Sequence, residues 1–276
     1  MQACSPLITA DELHSCLGEV VVVDCRFSLA TPDLGAAQYA AEHIDGAHYC
    51  HLERDLSAPV AGGTAVNRGR HPLPDAATFC AAMAAIGIGR DTPVVAYDDS
   101  GLAFASRFWW MLRALGYTQV QVLDGGLSAW QESGFATTAV KPLIRAVAAH
   151  SAVEYAGIVN YAELGDLQAS GARLIDAREP ARYRGELEPI DPVAGHIPGA
   201  VNYPWQEATD ETGRALSSAA QRERWQQFQD GDNLIVYCGS GVTACVNILS
   251  LALTGRHDAL LYPGSWSDWC ARLPLE

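Results

Sequence analysis

The sequence predicts an α/β fold made of two similar domains, each a mostly parallel sheet flanked by helices. Apolar runs of strand length, rich in β-branched residues, alternate with apolar runs of helical length along the 276 residues. Four blocks also occur twice and in the same order, which indicates an internal repeat. The paired blocks are 22–26 with 173–178, 42–47 with 195–200, 96–101 with 236–241, and 124–130 with 262–269.

The repeat predicts the domain organisation. We expect a first domain over residues 1–137, a linker over 138–152 and a second domain over 153–276. The linker carries Lys141, Pro142 and Arg145 and has little periodicity, which is typical of a connection between domains.

Strands and helices are predicted to alternate in chain order. In the first half, a strand over 20–23 ends in the carboxylate of Asp24, and the stretch 59–74, rich in Gly and Pro, is expected to be an exposed loop. The other elements predicted there are a helix over 76–86, a strand over 94–97, a helix over 103–115 and a strand over 120–123. The second half has a buried strand over 234–237 and a helix over 244–253.

Cys238 lies between that strand and that helix, where the N–H groups of a helix N-terminus are unpaired. Gly239 and Gly241 allow the backbone to turn tightly around the sulfur. Such donors favour a thiolate, which is the nucleophilic form of cysteine. The alternative interpretation is a small buried core cysteine.

The repeat offers an internal comparison, because the first half carries Asp98 at the position that matches Cys238. A carboxylate can accept hydrogen bonds from the same N–H groups, but it cannot carry sulfur. One half therefore looks chemically active and the other does not, which favours a catalytic role for Cys238.

Composition and charge restrict the possible partners. A formal net charge of −14 argues against nucleic acid or an anionic membrane as partner, although local cations can still bind an anionic substrate. No apolar run is long enough to span a membrane, and no secretory signal is visible. The eight cysteines form no C-x-x-C pair and have no zinc-finger spacing. We therefore expect a cytoplasmic protein with reduced thiols, no metal and no organic cofactor.

Several motifs together carry a resemblance to a known family. They are Asp176-Ala177-Arg178, the block 195–200, the loop Cys238-Gly239-Ser240-Gly241-Val242-Thr243, and Gly264-Ser265-Trp266. With these motifs the chain resembles the two-domain rhodanese-like sulfurtransferases over essentially its whole length. The loop is similar to that of 3-mercaptopyruvate sulfurtransferases, whereas thiosulfate-specific enzymes resemble Cys-Arg-Lys-Gly-Val-Thr. An inactive first domain with Asp in place of the cysteine is also usual in this family.

The resemblance implies an enzyme in which Cys238 takes the sulfane sulfur of a small anionic donor and becomes a persulfide. Cyanide, a small thiol or a thioredoxin-like protein then accepts the sulfur. The main-chain N–H groups of Gly239, Gly241, Val242 and Thr243 would bind the sulfur and the donor.

The resemblance also implies a proton relay and an anion-binding arginine. Ser240 would belong to the relay with His43, and Asp33 would be the acid; a histidine that only anchors its loop is the alternative for His43. Arg182 and Arg184 would grip the donor anion, with one of them expected to be a solvated surface charge. The sequence departs from the family where mercaptopyruvate enzymes carry another arginine, because this chain has 188–191 as Glu-Pro-Ile-Asp.

Three alternatives stay open. A Cys-x5-Arg phosphatase is disfavoured because Ala244 stands where that chemistry needs arginine. A non-catalytic rhodanese-like binding module would lose the cysteine from both halves. A thiosulfate sulfurtransferase of the same fold is the nearest alternative. Tyr262, Trp266 and Trp269 are expected to be packing residues, and Asp176 and Arg178 to form an internal ion pair.

Overall fold

The computed structural model describes residues 5–60, 69–151 and 154–273. The chain forms two compact units, which confirms the predicted duplication. The first unit contains Met1–Ser57, Pro74–Ala156 and Thr209–Ala215, and the second contains Ala58–Leu73, Gly157–Ala208 and Leu216–Glu276.

The first unit is built around a five-stranded parallel sheet with the strand order β1-β6-β5-β2-β4. The central strands are short and buried on both faces, as expected for a parallel sheet between helices. The five strands of the sheet are β1 (Leu7–Ile8), β2 (Val21–Asp24), β4 (His48–Tyr49), β5 (Val94–Tyr97) and β6 (Val120–Leu123). Two further strands, β3 (His43–Ile44) and β7 (Thr137–Thr138), pair in antiparallel fashion.

Five helices of the first unit lie within the described residues. They are α1 (Ala10–Ser15), α2 (Leu34–Ala41), α3 (Ala76–Ala85), α4 (Ala103–Ala114) and α5 (Gly126–Glu132). The helix α1 begins with a capping box, in which Thr9 and Glu12 satisfy each other's backbone N–H groups. Helix α4 is buried along almost its whole length, including the polar side chains of Ser106 and Arg107.

The second unit repeats this plan with a four-stranded parallel sheet in the order β11-β10-β8-β9. Its strands are β8 (Arg173–Asp176), β9 (Val201–Asn202), β10 (Leu234–Tyr237) and β11 (Leu260–Leu261). Its helices are α6 (Tyr161–Ala169), α7 (Pro180–Tyr183), α8 (Ser218–Trp225), α9 (Ala244–Leu253) and α10 (Ser265–Cys270), with a 3-10 turn at Trp205–Ala208.

The repeated sequence blocks form the same buried polar structure in each unit. The Asp24–Arg26 ion pair of 2.6 Å has its counterpart in Asp176–Arg178 at 2.7 Å, and all four side chains are at most 2% exposed. The predicted internal ion pair at 176–178 is therefore confirmed. In each unit the arginine also donates to a backbone carbonyl at the start of the His-Ile block.

Each compact unit includes one short segment from the other half of the sequence. Ala58–Leu73 belongs to the second unit, and Thr209–Ala215 belongs to the first. The first segment lies between β4 and α3 and the second between β9 and α8. Each packs against loops of the unit that it joins. The segment 138–152, expected to be a free linker, begins with a residue of β7, and its Val147 N–H donates to Ala84 O at 3.0 Å. The loop 59–74 is also less exposed than expected, since residues 71–74 are buried.

In the described part of the chain, no helix combines the length and the hydrophobicity needed to cross a bilayer.

Candidate active site

Cys238 follows β10 at the carboxyl end of the second sheet, the edge where parallel α/β sheets bind their ligands. Its backbone is held from α10: the Cys238 N–H donates to Ser265 Oγ at 3.1 Å, and its carbonyl accepts from Trp266 N–H at 3.0 Å. The residue is only 2% exposed. Cys238 is therefore held in a fixed position and is almost fully buried.

The turn after Cys238 requires glycine at position 241. Gly241 has a φ of 76°, in the left-handed region, and a Cβ there would collide with the carbonyl oxygen of Pro263. The tight arc predicted around the cysteine is thus present.

The matching loop of the first unit shows what this backbone arc binds. The Asp98 carboxylate accepts four backbone N–H groups, from Ser100, Leu102, Phe104 and Ala105, at 2.8 to 3.1 Å. Burial raises the pKa of Asp98, while these hydrogen bonds act to lower it. The first unit therefore has a carboxyl group built into its loop, as the repeat predicted.

In the second unit, Ser240 and Val242 correspond to Ser100 and Leu102, whereas Cys245, which corresponds to Ala105, donates its N–H to Val242 O at 3.1 Å. Within the described residues, the N–H groups of Gly239, Ser240, Val242 and Thr243 make no hydrogen bond, either to another residue or to the Cys238 sulfur. Buried backbone donors without partners are rare in proteins. These N–H groups could therefore donate hydrogen bonds to an atom attached to the Cys238 sulfur.

Ser240 is hydrogen-bonded to a histidine. The Nδ1 atom of His71 lies 2.8 Å from Ser240 Oγ, and the two residues are 5% and 7% exposed. When the ring proton is on Nε2, Nδ1 accepts the hydroxyl proton of Ser240. A hydroxyl in contact with an imidazole beside a nucleophile is an arrangement suited to proton transfer.

Two arginines approach the same loop. A Cβ placed on Gly239 would lie 2.8 Å from Arg70 Nη2 and 3.5 Å from Arg182 Nη1. Both guanidinium groups also contact Asp191: Arg70 Nη1 pairs with its Oδ1, and Arg182 Nη2 lies 3.1 Å from its Oδ2. Two guanidinium groups next to the loop form a binding site for a small anion.

These arginines belong to a chain of alternating charges. Arg182 pairs with Glu188 at 2.7 Å, and Glu188 in turn contacts Arg178 at 3.2 Å. Burial acts to raise the pKa of Glu188, but hydrogen bonds from Arg182 and from the Asp191 N–H outweigh it, and the pKa is lowered. For Asp191, burial dominates and raises the pKa, despite the nearby Arg70 and Arg182.

Comparison with known proteins assigns the family. A family model described as the rhodanese-like domain matches residues 9–133 and 160–272. The chain belongs to the rhodanese-like family. The two matched ranges confirm two tandem rhodanese-like domains, while the exact boundaries given above stay a prediction.

The relatives are named as sulfurtransferases. A probable 3-mercaptopyruvate sulfurtransferase from Pseudomonas aeruginosa is 44% identical over 95% of this chain and 94% of its own length. A putative thiosulfate sulfurtransferase, SseB from Mycobacterium tuberculosis, is 42% identical over 95% and 93%. The crystal structure of SseA, a 3-mercaptopyruvate enzyme from Escherichia coli, has 31% identity, covers 96% of this chain and all of that one, and has a TM-score of 0.82. The predicted enzyme class, a sulfurtransferase, is confirmed.

The histidine of this rhodanese-like chain that lies on Ser240 is His71, whereas the sequence had favoured His43. The His43 ring is fully buried, and its two nitrogens face the carbonyl oxygens of Tyr39 and Val140 at 2.7 and 3.1 Å. Asp33 is exposed at the start of α2 and makes no side-chain hydrogen bond within the described residues. The pairing of His43 with Asp33 is thus not formed, and His43 anchors its loop, the alternative considered above.

Of the two predicted donor-binding arginines, only Arg182 lies at the loop. Arg184 is half exposed and forms a surface pair of 2.7 Å with Glu186, also exposed. Such a pair contributes little to stability or binding. Arg70, which was not predicted, stands beside Arg182 instead.

The aromatic residues near the site are packing residues. Tyr262 and Trp266 are buried in the core of the second unit, and the Trp266 ring lies 4.8 Å from the Arg178 guanidinium. Trp269 is partly buried and packs on Tyr161. Among the described residues there is no group of three or more His, Cys, Asp or Glu side chains that could hold a metal ion.

A signal for Arg70 and His71 is present in the sequence. The pair Gly69-Arg70 returns as Gly213-Arg214 ahead of the corresponding helix of the other half. Each pair packs on a loop of its unit: Gly69 against the Gly264 carbonyl in the second unit, and Gly213 against Gly101 in the first. The residue after the arginine is His71 in one copy and Ala215 in the other. The copy with histidine is the one that meets the Cys238 loop.

Proposed function

We propose that this rhodanese-like sulfurtransferase takes the sulfur of 3-mercaptopyruvate onto Cys238 as a persulfide and passes it to a thiol or cyanide. The observation that carries the choice of donor is the 2.8 Å contact between His71 and Ser240 next to the cysteine. Such a pair can supply a proton, and mercaptopyruvate is a donor whose leaving group needs one.

The first half-reaction forms one bond and breaks one. The Cys238 thiolate attacks the sulfur of mercaptopyruvate, an S–S bond forms, and the C–S bond breaks with its electron pair going to carbon. The carbon fragment leaves as the enolate of pyruvate. Ser240 delivers a proton to that enolate carbon and is reprotonated through His71, so that pyruvate is released.

The open N–H groups of the loop support the persulfide. The oxygens of the Asp98 carboxylate are two bonds from Cβ, and so is the outer sulfur of a cysteine persulfide. Since the loops match in sequence and place in the fold, we expect the outer sulfur to occupy the position that the Asp98 oxygens hold in the first unit. There it would accept hydrogen bonds from the N–H groups of Ser240 and Val242.

Arg70 and Arg182 would hold the donor carboxylate. Both guanidinium groups lie beside Gly239, one residue from the nucleophile, and a guanidinium matches a carboxylate in shape and charge. With its carboxylate held there, the donor would direct its sulfur toward Cys238.

The second half-reaction returns the enzyme to its starting state. A nucleophile such as cyanide attacks the outer sulfur, the S–S bond breaks, and the thiolate of Cys238 is regenerated with release of thiocyanate. A small thiol or a reduced thioredoxin-like protein would act in the same way and leave with a persulfide. Because Cys238 is only 2% exposed, the acceptor must present a small or protruding nucleophile.

Thiosulfate is the second candidate donor, since the two arginines can also hold its oxygens and one relative carries that name. Its leaving group, sulfite, departs as a stable anion and needs no proton. A hydrogen-bonded Ser–His pair would then have no chemical task.

A donor comparison tests the proposal. We expect kcat/KM with cyanide as acceptor to be higher for mercaptopyruvate than for thiosulfate. Mercaptopyruvate alone should also add about 32 Da, one sulfur, to the intact protein but not to the Cys238→Ser variant. A full mass gain in that variant would contradict the role of Cys238. Activity no higher than that of Cys238→Ser with either donor would favour the non-catalytic module.

A cytoplasmic location and the absence of nucleic-acid partners are also part of the proposal. The net charge of −14 disfavours polyanionic partners, and seven of the cysteines are free thiols. Fractionation of cells that express the tagged protein tests the location, and recovery outside the cytoplasmic fraction would contradict it.

A further inference from the structure

Asp191 occupies the centre of the anion-binding site. Its side chain is 3% exposed and lies between the two arginines that approach the Cys238 loop. Asp191 comes from the segment in which the sequence departs from the family, where an arginine was expected. The structure therefore has a carboxylate next to the place where an anionic donor would bind.

The charges around the donor site are balanced. Three arginines, Arg70, Arg178 and Arg182, alternate with three carboxylates, Asp176, Glu188 and Asp191, and neighbours along this row are in direct contact. Taken together the six groups have no net formal charge. Arg70 and Arg182 can orient an anion, but they offer it no surplus of positive charge.

Such a site discriminates between donors by charge. Mercaptopyruvate has a single carboxylate charge at neutral pH, whereas thiosulfate is a dianion. A dianion held beside the buried Asp191 is repelled by it roughly twice as strongly as a monoanion in the same place. Because Asp191 is shielded from water, solvent screens this repulsion only weakly.

We propose that Asp191 is a specificity-determining positioning residue, which holds Arg70 and Arg182 against the loop and disfavours dianionic sulfur donors. This inference rests on the proposed function, since it concerns the choice of donor at the same site. The preference for monoanionic donors would then come from Asp191 and not from the sequence of the Cys238 loop.

The test is the ratio of kcat/KM for thiosulfate to kcat/KM for mercaptopyruvate, measured in Asp191→Asn and in the wild type. Asparagine keeps the shape and a hydrogen-bond acceptor but removes the charge. We expect the ratio to rise roughly tenfold, since one close charge is neutralised. Most of the gain should come from a lower KM for thiosulfate. Asp191→Glu should keep a ratio near that of the wild type.

A matched control is Glu186→Gln, which removes one negative charge from the exposed pair with Arg184. It changes the net charge of the protein by the same amount, and we expect the donor ratio to stay within about twofold. An equal rise in this control would overturn the proposal, because the effect would then arise from the overall charge.

Folding of the variants is checked by circular dichroism and by persulfide loading of Cys238. If Asp191→Asn fails to fold, Asp191→Ser gives a second neutral variant with the same expected rise. An unchanged ratio in a folded, active variant overturns the role of Asp191 and leaves the proposed function intact. Loss of sulfur transfer from both donors in the wild type would instead overturn the proposed function.

Discussion

The Nδ1 atom of His71 lies 2.8 Å from the hydroxyl oxygen of Ser240, although 169 residues separate them in the chain. The contact forms because Ala58–Leu73 belongs to the second compact unit together with the Cys238 loop. A hydrogen-bonded Ser–His pair is thus assembled from both halves of the sequence. In the other copy of the repeat, Ala215 stands after the Gly-Arg pair, and Asp98 stands in place of the cysteine.

If this pair protonates the enolate, its loss should depend on the donor. We expect Ser240→Ala and His71→Asn to lower kcat/KM with mercaptopyruvate by roughly a hundredfold, a usual contribution of a general acid. With thiosulfate the loss should be less than about threefold, because sulfite needs no proton. The measurement is the steady-state rate with each donor and a common acceptor.

The matched control is His43→Asn, which removes a buried histidine bonded to the Tyr39 and Val140 carbonyls. It should lower thermal stability but leave the ratio of the two donors unchanged. Equal losses with both donors in Ser240→Ala would contradict the proton-transfer role.

Local patterns predicted a large part of the fold and the nucleophile. The strands before Asp24, Asp98 and Cys238 are short apolar runs that end in a polar residue, and such runs are defined by nearest neighbours in the sequence. The repeat added the comparison of Cys238 with Asp98. The strands needed only information that lies within a few residues, and the comparison needed only the match between two short segments of the sequence.

Arg70 and His71 could not be found in this way. Their role depends on the packing of their loop against the second unit, which is distant in the sequence. Arg70 meets Asp191 across 121 residues, and no periodicity in a Gly- and Pro-rich stretch indicates such a contact. His43 was favoured instead because the family resemblance matches it to a relay histidine. Its repeat partner His196 supports the anchoring role, since His196 likewise bonds a backbone carbonyl, that of Tyr183.

Gly239 should be needed for donor binding, because a side chain there would displace the Arg70 guanidinium. A Cβ at this position would lie 2.8 Å from Arg70 Nη2, closer than the two atoms can approach. We expect Gly239→Ala to raise KM for both donors by roughly tenfold, since the Arg70 guanidinium must move from its place. Saturation kinetics with each donor provide the measurement.

Gly165→Ala is the control for that substitution. Gly165 lies inside α6 with nothing near its Cα, so an added methyl group meets open space. It should leave KM unchanged and raise the free energy of unfolding by about 0.5–1 kcal/mol, because alanine is the better helix former. An unchanged KM in Gly239→Ala would show that the arginines do not bind the donor.

Glu188 should stabilise the protein at neutral pH and less in acid. Its side chain is 3% exposed and bridges Arg178 and Arg182, and its pKa is lowered in the folded state. A lowered folded-state pKa means that the stabilisation is present above the unfolded-state pKa of about 4.3 and is lost as the pH falls through the folded-state pKa. Glu188→Gln should therefore cost about 2 kcal/mol at pH 7.

The measurement is urea unfolding of Glu188→Gln and of the wild type between pH 7 and pH 4. The difference in unfolding free energy should be constant down to about pH 5 and shrink below it. Glu186→Gln, in an exposed pair, is the control and should leave the unfolding free energy nearly unchanged at every pH. A difference for Glu188→Gln that grows on acidification would contradict the direction of the pKa shift.

Asp98 should be a structural residue whose loss affects folding and not catalysis. Its carboxylate accepts four backbone N–H groups and is 1% exposed, so removal of the side chain leaves buried donors without partners. We expect Asp98→Ala to lower the free energy of unfolding by about 2–4 kcal/mol, because each unsatisfied buried polar group costs about 1–3 kcal/mol and some reach water. Asp98→Asn keeps one acceptor oxygen and should cost about half as much.

Both variants should keep the wild-type kcat per folded molecule, measured after titration of the Cys238 persulfide. A fall in kcat without a fall in the unfolding free energy would mean that the first unit takes part in the reaction. The assignment of a structural role to the Asp98 loop and a catalytic role to the Cys238 loop would then be wrong.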